Sequence, residues 1–201
     1  MDNTYLLAQI TYRIILQSMG HPGKIYQLPG GWVNGQGAGD TRTGCGKADG
    51  LMSVLLTLLD HEVTFFLLGS SANCFEDKIF ELTRSTVSDI VSADFIIVPE
   101  GKSGGEVLKA RRGSLDYPDA GATVLYIIDS LVDRSNGKGR ILLKGPGIKD
   151  GLEISVSGPM KDEFLCIKEA NAEFPLGIDC IFIDKFDRIM CIPRSTMIEV
   201  N

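Results

Sequence analysis

The fold is decided near the C-terminus, by the motif FPLGID at residues 174–179 and the motif IPRST at residues 192–196. Between them lie two short apolar runs, 180–183 and 189–192, and the charged segment 184–188 separates these runs. Short apolar runs on either side of a polar turn are typical of a β-hairpin. Proline and glycine in the motifs mark where regular structure begins and ends. The sequence therefore predicts a terminal hairpin that closes a β-sheet.

Hydrophobic spacing extends this prediction along the rest of the chain. Helices are predicted at 4–19, 51–60, 73–84, 105–111 and 160–170, the last with Phe164, Leu165 and Ile167 facing the core. Further strands are predicted at 24–28, 63–68, 94–98, 122–131, 140–144 and 152–156. Asn136-Gly137 predicts a hairpin turn between two of these strands, because both residues tolerate positive φ.

The order of these elements indicates the fold class. Helices alternate with strands early in the chain and hairpins dominate late, which favours an α/β fold with a central mixed β-sheet flanked by helices. With 201 residues, 44% of them hydrophobic, the chain is expected to form a single domain over residues 1–201. Residues 30–50 are rich in glycine and predict a long flexible loop.

Composition and charge argue against several classes of protein. The formal net charge is −6 and the sequence pI is about 5.0, whereas nucleic-acid binding needs a basic surface. The first residues carry no basic segment typical of a signal peptide, and no apolar run approaches the roughly 20 residues that span a bilayer. The expectation is a cytoplasmic protein that binds neither nucleic acid nor membrane.

Cysteine and histidine residues are too few and too scattered for a metal centre or a disulfide framework. The five cysteines include no C-x-x-C pair, and the two histidines lie in no cluster. His21 is a candidate acid–base group but is also a typical turn residue, and His61 at a helix end interacts favourably with the helix dipole. No Ser–His–Asp order is present, and no complete catalytic constellation emerges.

Glycine-rich stretches suggest phosphate loops but fit them poorly. Neither 35–39 nor 46–47 has the spacing of a nucleotide-binding loop. Gly101-Lys102-Ser103 follows a predicted strand and precedes a predicted helix, yet position 96 is isoleucine where a P-loop requires glycine. The expected role of this segment is a turn and helix cap.

Two short segments are the candidate substrate-binding residues for phosphate. Gly145 and Gly147 permit close approach of an anion or of a partner's backbone, or they simply form a tight turn in a hairpin. Arg194, Ser195 and Thr196 offer a guanidinium group and two hydroxyl groups. Arg194 can recognise phosphate, or it can anchor the C-terminus through a carboxylate such as that of Asp179. Both alternatives stay open for each segment.

Blocks of sequence along the whole chain share the pattern of one protein family. Besides FPLGID and IPRST, they are YR at 12–13 with MGHPG at 19–23, SVLLTLLD at 53–60, PDAGAT at 118–123 and KGPGI at 144–148. Each block is short, but all occur in the family's order. The chain resembles the H subunit of bacterial carbon–phosphorus lyase, the PhnH family.

The resemblance implies fold, partners and activity. It implies the fold of the large domain of pyridoxal-phosphate (PLP)-dependent transferases without PLP, and no cofactor bound by this chain. Lys144 and Lys185 are read as a strand-end charge and a solvated turn residue. The resemblance also implies a homodimer that assembles with the G, I and J subunits. With the G and I subunits, such a protein supports displacement of adenine from MgATP by an alkylphosphonate, giving α-D-ribose 1-alkylphosphonate 5-triphosphate.

Two roles within that complex are consistent with the sequence. In the first, the chain contributes residues to the displacement site, with Arg194 and the turn at 145–147 contacting phosphate. In the second, it is a dimeric scaffold and assembly subunit, and the scarcity of catalytic side chains favours this role. A diverged α/β enzyme of another function is a third interpretation.

Overall fold

A computed structural model describes residues 3–30, 49–69, 72–131, 140–155 and 160–200. The predicted loop at 30–50 and the glycine stretches within it lie almost wholly outside the described residues. The Asn136-Gly137 turn lies outside them as well.

Four α-helices are described, and sequence periodicity predicts all of them. They are α1 (Asn3–Gly20), α2 (Asp49–Leu58), α3 (Ala72–Thr83) and α4 (Met160–Ala170). The predicted helix at 105–111 is wrong in type, because only the 3₁₀ turn Glu106–Lys109 forms there. Gly104 and Gly105 precede this turn and both have positive φ, which a right-handed helix does not contain. Regular structure therefore begins only at Glu106 and extends for a single turn.

The described strands form two sheets. In chain order they are β1 (Tyr26–Gln27), β2 (Thr64–Leu67), β3 (Thr86–Val87), β4 (Phe95–Val98), β5 (Thr123–Ile128), β6 (Arg140–Lys144), β7 (Leu152–Ser155), β8 (Asp179–Asp184), β9 (Arg188–Ile192) and β10 (Met197–Val200). The larger sheet has the order β1-β9-β8-β5-β4-β2-β3, and the smaller has the order β10-β6-β7. β2, β3, β4, β5 and β8 are parallel, whereas β9 and β1 are antiparallel to their neighbours, so the larger sheet is mixed as predicted.

The terminal hairpin is confirmed, with Cys180 opposite Ile192 and Ile183 opposite Ile189. It does not close the sheet, because β8 is internal and β1 lies outside β9. The predicted hairpin between β5 and β6 is wrong, since these strands belong to different sheets. The sequence of β5, TVLYII, is almost wholly apolar, which suits a central parallel strand more than a hairpin arm.

Two hydrophobic clusters cover opposite faces of the larger sheet. One joins α1, α2 and α3 to side chains such as Phe65 and Leu125. The other joins α4 and the small sheet to Tyr126 and Phe182. The ring of Phe182 stacks with those of Tyr126 and Phe164, at centroid distances of 4.9 Å and 5.4 Å.

The prediction that Leu165 faces the core is wrong. Its side chain is 46% exposed, while Phe164 and Ile167 are fully buried. Successive residues of a helix point about 100° apart, so α4 cannot turn 164, 165 and 167 to the same face. Leu165 instead lies on a partly exposed flank of α4.

Candidate functional site

Arg194 lies two residues after the end of β9 and binds Asp179 at the start of β8. Its backbone N–H donates to Asp179 Oδ1 at 2.8 Å, and Nε and Nη2 donate to Oδ2 at 3.1 Å and 2.5 Å. Nη1 donates to the carbonyl of Pro118, and Nη2 lies 3.4 Å from the carbonyl oxygen of Gly121. Arg194 therefore joins both ends of the hairpin to the segment that leads into β5.

This arrangement is the anchoring alternative that the sequence left open. The Arg194 side chain is only 13% exposed, and all three of its guanidinium nitrogens donate to groups of this chain. A guanidinium group used in this way has little capacity left for a bidentate contact with an external phosphate. Phosphate binding by Arg194 stays a prediction.

Gly145 and Gly147 lie in the turn that joins β6 to β7, and both have positive φ, +136° and +81°. A Cβ atom at Gly145 would lie 2.9 Å from the carbonyl oxygen of Ser195, and one at Gly147 would collide with the carbonyl of Gly20 at the end of α1. The turn thus packs closely on two other segments of the same chain. That close approach explains both glycines as hairpin-turn residues.

A groove brings most of the candidate residues together. Its volume is about 910 Å³, and Gly145, Arg194, Ser195 and Thr196 line it. Gly147 is not among the lining residues. One further wall comes from α4 and the segment that follows it, and another comes from β10.

The lining of this groove is apolar and has no excess of positive charge. Leu165, Phe174 and Met197 line it and are 46%, 66% and 62% exposed. Its charged side chains balance, since Lys168 and Arg194 are matched by Glu169 and Glu199. The groove therefore suits apolar or neutral groups more than a polyphosphate.

Thr196 lines the groove and carries a buried hydroxyl group. The residue is only 4% exposed, and its Oγ1 makes no hydrogen bond among the described residues. Its backbone N–H donates to the carbonyl of Pro193 at 2.9 Å, which fixes the turn between β9 and β10. The hydroxyl group can therefore donate a hydrogen bond that no described residue accepts.

Glu163 of α4 occupies the position of an anion at the Gly101-Lys102-Ser103 segment. The backbone N–H of Ser103 donates to Glu163 Oε2 at 2.9 Å, and the Tyr126 hydroxyl group donates to Oε1 at 2.8 Å. Burial, followed by the neighbouring Cys180 and Glu163, raises the pKa of Tyr126 well above its usual range. Tyr126 therefore remains a protonated donor. The side chain of Glu163, from the same chain, accepts the hydrogen bond of this loop.

Sequence reasoning missed Glu163, although the sequence carries a cue for it. Glu163 is three residues after Met160 and four before Ile167, on the buried stripe of α4. A glutamate on such a stripe needs internal hydrogen bonds. Its particular partners come from β5 and from the loop after β4, which local spacing does not reveal.

Asp184, at the end of β8, holds the turn of the terminal hairpin. It is 1% exposed and accepts hydrogen bonds from the backbone N–H groups of Leu131, Phe186 and Arg188 at 3.0, 2.9 and 3.1 Å. Arg188 Nε also donates to it at 2.8 Å. Burial acts to raise the pKa of Asp184, but hydrogen bonds from Arg188, Leu131 and Phe186 outweigh it and lower this pKa.

The remaining candidates occupy ordinary structural positions. His21 Nδ1 lies 3.0 Å from the carbonyl oxygen of Gln17 at the end of α1. Lys144 pairs with Glu199 at 2.8 Å on the surface of the small sheet. Lys185, in the turn of the terminal hairpin, lies 3.6 Å from Asp129. None of these groups converges with the others on one site.

The thiol groups of the two cysteines in the terminal hairpin behave as small hydrophobes. Cys180 and Cys191 are fully buried in β8 and β9. Burial raises the pKa of Cys180 well above its usual range and that of Cys191 to about 12. Both therefore stay protonated and unreactive at neutral pH, as expected for cysteines in apolar strands.

The described residues contain neither a metal-binding cluster nor a membrane-spanning helix. No group of three or more histidine, cysteine, aspartate or glutamate residues there is placed to hold a metal ion. No described helix is both long enough and apolar enough to cross a membrane.

Comparison with known proteins identifies the family. The family model of the bacterial phosphonate metabolism protein (PhnH) matches residues 1–199. A relative from Rhizobium meliloti (strain 1021), named alpha-D-ribose 1-methylphosphonate 5-triphosphate synthase subunit PhnH, is 28% identical over 96% of this chain and 90% of its own. The putative C-P lyase subunit protein HtxG of Stutzerimonas stutzeri is 26% identical over 96% of this chain and 86% of its own. Because the family model spans almost the whole sequence, the chain belongs to the bacterial PhnH family.

Proposed function

We propose that this chain is a subunit of the multi-subunit enzyme that makes α-D-ribose 1-alkylphosphonate 5-triphosphate during phosphonate breakdown. The observation that carries the proposal is the family match over residues 1–199, together with a relative named as a subunit of the corresponding synthase. The complex takes MgATP and an alkylphosphonate as substrates and releases adenine. Its other core components are the G, I and J subunits.

Within this complex the proposed role is assembly rather than chemistry. The least exposed charged side chains described above all make contacts within this chain. Arg194 pairs with Asp179, Arg188 pairs with Asp184, and Glu163 accepts hydrogen bonds from Ser103 and Tyr126. We therefore expect the chain to contribute to the complex through the surfaces with which it contacts other subunits.

Several further properties belong to the same proposal. The chain acts as one domain and as a homodimer, with the fold of the large domain of PLP-dependent transferases. It carries no PLP or other cofactor of its own, and it works in the cytoplasm without nucleic acid or membrane as a partner.

A contribution to phosphate binding is the second candidate role. The observation in its favour is the Oγ1 of Thr196 in the groove, which is buried and has no hydrogen-bond partner in the described part of the chain. In this version backbone N–H groups and hydroxyl groups contact a phosphate, while Arg194 only positions the segment.

Thermal unfolding of the isolated chain separates the two roles. A ligand that binds only the folded state at 100 times its dissociation constant stabilises that state by about 2.7 kcal/mol. If the chain acts by assembly alone, millimolar MgATP or methylphosphonate leaves its melting temperature unchanged. A rise with either ligand, absent with MgCl₂ at the same ionic strength, supports the phosphate-binding role and contradicts assembly alone.

A further inference from the structure

The groove described above runs along the free edge of β10. This strand pairs with β6 on one side, and no described strand lies on its other side. Met197, Ile198 and Glu199 all line the groove, although successive side chains of a strand point to opposite faces. Three consecutive residues line one groove where it reaches the edge of the strand. The groove therefore runs along an edge of β10 whose backbone N–H and C=O groups pair with no other described strand.

The opposite wall is a stripe of α4. Leu165, Lys168 and Glu169 are spaced at three and four residues, which places them on one side of a helix. Phe174 lies at the end of this wall and is 66% exposed. Large apolar side chains thus flank an open strand edge, the combination found where proteins accept an additional β-strand.

The charge and shape of the groove indicate which kind of molecule it binds. A nucleotide triphosphate or a phosphonate needs an excess of positive charge, yet the two basic and two acidic side chains of the groove balance. Arg194 is in addition already paired with Asp179. A short extended peptide, by contrast, satisfies the backbone groups of β10 and buries the apolar side chains. Such a peptide needs no net charge.

We infer that this groove receives an extended, predominantly apolar segment of a partner subunit, which adds a fourth strand to the small sheet beside β10. The inference rests on the proposed function for the existence of that partner. It assigns the assembly role to a particular surface, made of the free edge of β10 and the α4 stripe at 165–169.

The test compares Leu165→Glu with Leu82→Glu in the full chain. Leu165 and Leu82 are both helical and are 46% and 45% exposed, so the two changes perturb the isolated chain to a similar extent. With purified G and I subunits as the probe, Leu165→Glu is expected to weaken binding at least about tenfold, as for a central interface residue. Leu82→Glu is expected to change binding less than about twofold. Equal affinities for the two variants overturn the inference.

Hydrogen exchange provides an independent measurement on the unmodified chain. Addition of a strand protects edge amides, so amides at 197–200 are expected to exchange at least about tenfold more slowly in the complex than in the free chain. Unchanged exchange there overturns strand addition. Equally strong protection in the free chain, lost on dilution, assigns the groove to a second copy of the chain and also overturns the inference.

Failure of this inference is distinguishable from failure of the proposed function. If Leu165→Glu binds the G and I subunits normally and the set releases adenine, the function stands and the groove assignment falls. If the unmodified chain binds through β10 but the complete set releases no adenine, the groove assignment stands and the function falls.

Discussion

Replacing Arg194 with alanine is expected to lower the free energy of unfolding by about 1.5 to 3 kcal/mol, the range for hydrogen bonds to a charged group, because the ion pair with Asp179 is partly exposed. The change leaves Asp179 without its counter-ion at the start of β8 and removes the donor to the carbonyl of Pro118. Arg194→Lys restores the charge but not the fork of donors, so it is expected to recover only part of the loss. Urea unfolding followed by circular dichroism measures all three proteins.

Arg140→Ala is the matched control. Arg140 lies 3.5 Å from Glu153, and their side chains are 62% and 57% exposed. Exposed pairs of this kind contribute about 0 to 1 kcal/mol. If Arg194→Ala proves as mild as Arg140→Ala, the anchoring role of Arg194 is wrong and its guanidinium group is free for a ligand.

Replacing Asp184 with alanine is expected to lower the free energy of unfolding by about 3 kcal/mol, because it leaves three backbone N–H groups and Arg188 without their acceptor. Asp129→Ala is the control, since Asp129 is in the same region but is 90% exposed. Its replacement is expected to have no measurable effect on unfolding. A mild effect of Asp184→Ala would mean that the hairpin turn is held by its backbone alone.

The same carboxylate predicts how stability depends on pH. The pKa of Asp184 in the folded chain lies below the ordinary value of 3.8. An acid with a lowered folded pKa stabilises the fold above its unfolded pKa, and this contribution is lost as the pH falls through the folded value. Asp94, whose pKa is also lowered, acts in the same direction. The unmodified chain is therefore expected to lose stability below about pH 4, with a shallower loss in Asp184→Ala.

Local sequence patterns predict most of the elements because those patterns are imposed by burial. The stripe of apolar residues in α4 and the runs on either side of 184–188 each reflect a single face or strand that packs against the core. These features require no knowledge of distant segments. The helices and the terminal hairpin accordingly follow from the sequence alone.

Strand pairing and the site depend on segments far apart in the chain. Asn136-Gly137 favours a local hairpin, but β5 gains more from burial between β4 and β8, and β6 pairs with β7 and β10 instead. The partners of Glu163 are likewise 37 and 60 residues away. The Arg194–Asp179 contact spans 15 residues, and the sequence offered it as one of two alternatives because both residues flank the same hairpin.

Adenine release from MgATP and methylphosphonate measures whether this chain is a necessary subunit of the proposed complex. Purified G and I subunits are assayed with the unmodified chain, with Leu165→Glu and without any added chain. Release is expected to depend on the unmodified chain, and Leu165→Glu is expected to lose it unless that variant is added at a higher concentration. Equal release by the G and I subunits alone, or no release from a fully assembled set, would contradict this expectation.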